Sequence, residues 1–298
     1  MRVFQNQKIR GFTLVELLVV ITIIGILVGL GTGVALFVRV GAVEATTKTQ
    51  LSQMEMALEA YKGEFGEYPP MLSDEAGVMR HAASRWKRAN ITYADIEAAV
   101  TADNSTALTF WLGGRYNRAT ESYIGFSADL EDPLNPDTKQ RIEPRFDFSD
   151  KNTVAITGGR YFADTISRKP VAYFRSTSLG DTFAYLHKPD ATGRIFPFCD
   201  AKVGNFGDAV PYAKSVNDPN GVLSDPDFGW TKAEWDQVTV VWHGAKKFQL
   251  IHPGRNDEFG TPDPKIVYFT GKGYNISLDA EDNITNFTST ATLKGELD

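Results

Sequence analysis

Gly11-Phe12-Thr13-Leu14-Val15-Glu16 opens an almost uninterrupted apolar run that continues to Val38. A run of this length can cross a bilayer as a helix, which takes about 20 residues. The residues before it, Met1–Arg10, are polar and carry Arg2, Lys8 and Arg10. Basic residues ahead of an apolar helix stay on the cytoplasmic side, so everything after Arg39 is expected to be translocated. A secretory signal has an apolar core of about 7–15 residues and a small-residue cleavage site. This run is longer and has no such end. A plain single-pass anchor leaves Glu16 unexplained, because a carboxylate within a membrane helix is costly and by default functional, with a partner.

The hexapeptide Gly11–Glu16, set between a basic leader and a long apolar helix, resembles the cleavage and methylation motif of type IV prepilins and type II secretion pseudopilins. The resemblance implies that residues 1–11 are a prepilin leader peptide. It implies that a membrane-embedded prepilin peptidase cuts between Gly11 and Phe12 and methylates the new amine of Phe12. It also implies that Glu16 pairs with the N-terminal amine of a neighbouring subunit during filament assembly. Such a pairing is physically consistent, since a buried carboxylate and a buried ammonium offset each other's desolvation where no water can. Residues 12–38 are then the transmembrane and filament-core helix. Within it Gly25, Gly29 and Gly33 share one face, which lets helices pack closely in a membrane or filament. The plainer reading is that glycine is simply frequent in membrane helices.

Further along, Leu51, Met54, Leu58 and Tyr61 recur at spacings of three and four, the mark of one buried helical face. Residues 39–70 therefore read as an amphipathic continuation of the helix and a turn, with Gly63 and Gly66 stopping the helix and Pro69-Pro70 preventing its resumption. The segment Gln50–Pro70, with Gly66-Glu67-Tyr68-Pro69, is similar to the point in major pseudopilins where the long helix ends in a Gly-x-Tyr-Pro turn. That similarity favours a pseudopilin over an adhesive pilin.

Residues 71–298 read as a periplasmic globular domain. Its first part, to about residue 150, looks like an insertion, with one or two helices between Ser84 and Leu112. Strands are expected at Thr153–Thr157, Val171–Ser176, Val238–His243, Phe248–His252 and Ile266–Thr270, which are rich in valine, isoleucine and aromatics. Phe248 and Leu250 alternate with Lys247 and Gln249, as on a half-buried strand. Strands without intervening helices point to antiparallel pairing. The fold class is α+β, and the resemblance implies a pilin fold: a long N-terminal helix packed on an antiparallel sheet, with an inserted middle region.

A formal net charge of -6 and a pI near 5.4 argue against a general affinity for nucleic acid. The single cysteine, Cys199, rules out an intramolecular disulfide and reads as a small buried apolar residue or an intermolecular bridge. The four histidines, His81, His187, His243 and His252, are scattered; His243 and His252 lie near one expected hairpin, where a metal site has no support from ligand spacing. No nucleophile elbow, zincin motif or phosphate-binding glycine loop is present, so an enzyme is not expected.

The loop His252–Gly260 and the later segment Leu278–Phe287 together resemble the C-terminal calcium loop of major pseudopilins. The resemblance implies calcium as a cofactor, held by oxygens of Asp257, Asp279, Glu281, Asp282 and Asn283. Thr261–Gly273 separates the two halves here, and the plainer reading is a solvated acidic loop. The functional expectation is a structural subunit of a type II secretion pseudopilus, inserted in the bacterial inner membrane with its body in the periplasm. Its partners would be copies of itself and related pseudopilins, prepilin peptidase, the inner-membrane assembly platform and membrane lipid, with no nucleic acid. The alternatives are a minor type IV pilin in adhesion or DNA uptake, or a membrane-anchored binding protein.

Overall fold

The computed structural model describes residues 13–100, 106–117, 119–156, 159–179, 182–186, 191–196, 203, 208–224, 230–260, 267–271, 276 and 278–297. The chain divides into two units, Met1–Val43 and Glu44–Asp298, and the division falls within one long helix, α1 (Leu14–Phe65).

In the first unit, apolar side chains point outward at consecutive positions, so no face of the helix is polar. Leu17, Leu18, Val19, Val20, Ile21, Ile23 and Ile24 are all exposed. A helix that is apolar all round belongs in an apolar surrounding. Among the described residues no helix is long and apolar enough to cross a membrane. The apolar residues with described side chains, Leu14–Gly29, make about 24 Å of helix at 1.5 Å per residue, against a hydrocarbon core of roughly 30 Å. The expected span, residues 12–38, extends beyond them at both ends.

In the second unit the expected stripe is the buried face of α1, with Leu51, Met54, Leu58 and Tyr61 at most 1% exposed. The helix runs through Gly63 and stops at Phe65, so Gly63 does not end it as expected. The stop is Gly66, whose φ of 80° lies in the left-handed region that only glycine adopts without strain. The turn that follows is pinned from inside the core. Trp111 Nε1 donates to the Pro70 carbonyl at 3.1 Å, and the Tyr173 hydroxyl donates to the Pro69 carbonyl at 2.8 Å.

Three short helices follow: α2 (Glu75–Arg85), α3 (Tyr93–Ala99) and α4 (Ala107–Gly113). They do not form a separate insertion domain. Trp86, Phe110, Trp111 and Phe126 pack into the same core as Leu58 and Tyr61. The rings of Trp86 and Phe110 lie 5.9 and 4.9 Å from that of Trp111. Burying large aromatics around one centre explains why this stretch joins the body instead of decorating it.

The C-terminal half holds β1 (Ala172–Arg175), β2 (Tyr212–Asn217), β3 (Thr239–Trp242), β4 (Phe248–His252), β5 (Tyr268–Phe269) and β6 (Ile284–Thr285). The central strand β4 pairs antiparallel with β1, Phe248 opposite Arg175, and with β6, Ile251 opposite Thr285. In a second three-stranded sheet β2 pairs antiparallel with β3 and parallel with β5. The wholly antiparallel single sheet expected from sequence is thus replaced by two small sheets and, among the described residues, five two-stranded pairs.

The half-buried pattern expected for β4 is also corrected, because all five of its residues are buried. Gln249 is buried because its amide mimics a peptide bond. Its Oε1 accepts from Tyr212 N at 2.7 Å, and its Nε2 donates to the carbonyls of Tyr212 and His243 at 2.7 and 2.9 Å. One side chain thereby joins the middle strands of the two three-stranded sheets.

Candidate functional site

At the start of α1, Thr13 and Glu16 cap the helix reciprocally. Glu16 Oε2 accepts from Thr13 N and from Thr13 Oγ1, both at 2.8 Å, and Glu16 N donates to Thr13 Oγ1 at 3.2 Å. This capping box satisfies amides that have no partner inside the helix. Thr22, another polar residue in this stretch, returns its hydroxyl to the Leu18 carbonyl at 2.7 Å. Both polar side chains are therefore satisfied within the helix itself, which an apolar surrounding demands. Gly11 and Phe12 lie outside the described residues. Gly25 and Gly29 would meet nothing within 4 Å if given a Cβ, so the strip they form on α1 is open. Gly33 also lies in α1, and its surroundings are outside the described residues.

The turn after α1 carries a second network. Glu67 accepts from His81 Nδ1 at 2.8 Å and from Arg175 at 2.6 Å. A carboxylate only accepts, so Nδ1 carries the proton and His81 Nε2 accepts from the Tyr61 hydroxyl at 2.7 Å. Arg85 donates to the same hydroxyl at 2.9 Å. Burial works to raise the Glu67 pKa, but the hydrogen bond from His81 and the charge of Arg175 outweigh it and hold the carboxyl at about 2. Burial lowers the His81 pKa despite Glu67, so the ring is neutral. The Gly-x-Tyr-Pro turn is thus locked to α1, α2 and β1, and its Tyr68 donates back to Glu59 of α1 at 2.9 Å.

The expected calcium ligands lie on the C-terminal loops, where protein groups already engage them. Asp257 forms an ion pair with Lys169, and Glu281 one with Lys294 at 3.2 Å. The backbone carbonyl of Asp279 accepts from Asn256. Asp282 Oδ2 caps the chain at Arg255 N and Asn256 N, at 2.6 and 3.0 Å. Asn283 donates to the Phe259 carbonyl and the Tyr212 hydroxyl. Among the described residues no three His, Cys, Asp or Glu side chains form a group that could hold a metal ion. The open pocket over this loop is lined by Arg255 and Lys294 as well as Glu281 and Asp282, so opposite charges already balance there. The five residues do not fit one calcium shell, which takes 6–8 oxygens.

The same loops hold a buried Asp164–His252 pair, each 1% exposed and 3.1 Å apart. His252 Nδ1 accepts from Gly254 N at 3.2 Å, so Nε2 carries the proton toward Asp164. Burial pushes the Asp164 carboxyl up, yet bonds from His252, the Ser167 hydroxyl and the amides of Ser167 and Lys169 hold it below the usual range. His252 is kept neutral by burial, against the pull of Asp164. Sequence reasoning missed Thr13, Lys169 and Asp164. Thr13 was legible as the first member of a Thr-x-x-Glu capping box. Nothing local marks the bond of Lys169 to the Gly254 carbonyl or that of Asp164 to His252, each of which spans more than 80 residues.

Residues 6–32 match the family described as the prokaryotic N-terminal methylation motif. No curated protein and no solved structure matches the chain. The matched segment contains Gly11–Glu16 with the Thr13–Glu16 cap and the glycines Gly25 and Gly29, and its family is structural, not enzymatic. The motif supports the assignment of this chain to the type IV pilin-like and pseudopilin family.

Proposed function

We propose that the protein is a subunit of a type II secretion pseudopilus, anchored in the inner membrane by residues 12–38 with its body in the periplasm. Prepilin peptidase removes residues 1–11 and methylates Phe12, and the mature chain assembles with copies of itself and related pseudopilins. The observation that carries this reading is the first half of α1. Its apolar side chains are exposed on every face, and its polar ones, Glu16 and Thr22, are satisfied internally. Such a helix is made to pass between lipid and the packed helices of a filament. The pseudopilus, rather than an adhesive or DNA-uptake pilus, is favoured by the Gly66–Pro69 turn that ends α1.

The test is N-terminal mass analysis of the native protein together with deletion of its gene. A mature chain beginning at methylated Phe12, and loss of protein export in the deletion strain, support the proposal. Export that persists while surface pili or DNA uptake are lost assigns the protein to a type IV pilus. An unprocessed chain overturns both.

A further inference from the structure

Two lysines grip the C-terminal loops as a bound cation would. Lys169 Nζ donates to the carbonyls of Gly254 and Arg255, at 2.6 and 3.1 Å, and pairs with the Asp257 carboxylate. The Lys169 side chain is only 12% exposed. Lys48, on α1, donates through Nζ to the carbonyls of Thr285 and Thr288, at 2.5 and 2.7 Å, and to Thr288 Oγ1 at 3.0 Å. An ammonium has three donors and no acceptor, and each lysine meets at least three oxygens. Backbone carbonyls, hydroxyls and a carboxylate are the donors a hard divalent cation would choose.

We infer that Lys169 and Lys48 are the resident cations of these loops, and that residues 252–257 hold their native conformation without a divalent metal. The geometry supports this at both ends of the loop. Asp164, which accepts from Lys169 N at 2.9 Å, fixes the backbone from which the Lys169 ammonium reaches the loop. Asp282 Oδ2 takes the amides of Arg255 and Asn256 while Lys169 takes the carbonyls of Gly254 and Arg255, so the turn is neutralised on both sides. The competing place for a metal is beside Asp282 and Asn283, whose Oδ1 atoms are buried without a hydrogen-bond partner. The inference concerns folding of the body and does not depend on the pseudopilus reading.

The experiment is thermal unfolding of the full-length protein in detergent micelles, followed by near-ultraviolet circular dichroism, in chelator and in millimolar calcium chloride. The wild type should melt at the same temperature in both. Lys169→Met should lower the Tm by about 4–10 °C in either buffer, and Lys169→Arg, which keeps a cation, by less. A calcium-dependent rise of the wild-type Tm that Asp282→Ala removes overturns the inference and places a metal at the competing site. An unchanged Tm in Lys169→Met overturns it as well. Should that variant not fold, the wild-type comparison and Lys169→Arg decide the matter.

Discussion

Thr13 and Glu16 hold each other across the first turn of α1, with Glu16 Oε2 2.8 Å from both the amide and the hydroxyl of Thr13. The carboxylate expected to meet a neighbouring subunit's amine is therefore also the cap of its own helix. The two roles differ in what they require. A cap needs an acceptor oxygen, whereas pairing with a buried ammonium needs a charge.

Glu16→Gln separates them. The amide oxygen can still accept from Thr13, so α1 should start where it does in the wild type and leader processing should continue. Filament assembly should fail, because the neighbouring ammonium has no counter-charge. Glu16→Ala should lose assembly and also fray the first turn, seen as faster amide exchange near Val15. Normal assembly by Glu16→Gln, scored by filament formation or export in cells, would assign Glu16 to capping alone.

Gln249→Leu should destabilise the body by about 2–4 kcal/mol, because the buried Tyr212 amide and the carbonyls of Tyr212 and His243 each lose a hydrogen bond, and a buried group left unsatisfied costs roughly 1–3 kcal/mol. Denaturant unfolding measures this. A loss below 1 kcal/mol would mean that the two sheets do not depend on that bridge.

Gly254→Ala should also destabilise the body. The residue has a φ of 63°, and a Cβ there would lie 2.3 Å from the Asp282 carbonyl oxygen. Backbone cannot yield as a flexible side chain can, so the 252–257 loop must separate from Asp282. Limited proteolysis should then cut near Arg255 faster than in the wild type, and unchanged protection would place the strain elsewhere.

The body should lose stability in mild acid. His81 and His252 both have pKa values lowered by burial, so the unfolded chain binds protons that the folded chain refuses. Their stabilisation is complete above the ordinary histidine value of about 6.5 and declines as pH falls below it. Glu67 and Asp164, whose pKa values are also lowered, add to the loss further down, below about 4. Tm measured from about pH 7.5 to pH 5.5 should therefore fall, and replacing His252 by Gln should flatten the slope. A Tm that rises on acidification would contradict neutral buried rings.

Local signals were enough for the helix and its ends. The spacing of Leu51, Met54, Leu58 and Tyr61 located the buried face of α1, because helical periodicity is a property of neighbouring residues. The apolar run and the motif beginning at Gly11 pointed to the N-terminal methylation motif, which residues 6–32 match, for the same reason. Thr92 with Asp95 and Thr231 with Glu234 form capping boxes as short-range in sequence as that of Thr13 with Glu16. Strand β4 was placed to the residue, since a β-rich segment bounded by a turn is also a local pattern.

What only the tertiary structure decided was the company each residue keeps. Gln249 reads as the polar face of a strand and becomes its most buried amide, because Tyr212, 37 residues earlier, offers both halves of a peptide bond to it. Trp111 and Trp86 read as part of an insertion and become the centre of the core, because aromatic area is worth most where it meets the α1 stripe. The acidic residues Asp257, Asp279, Glu281 and Asp282 read as one ligand set. Folding hands two of them to Lys169 and Lys294, which lie far from the acidic run or on the opposite side of its turn. Charge neutralisation depends on distance in space, and sequence carries that distance only for residues within a turn or two of each other.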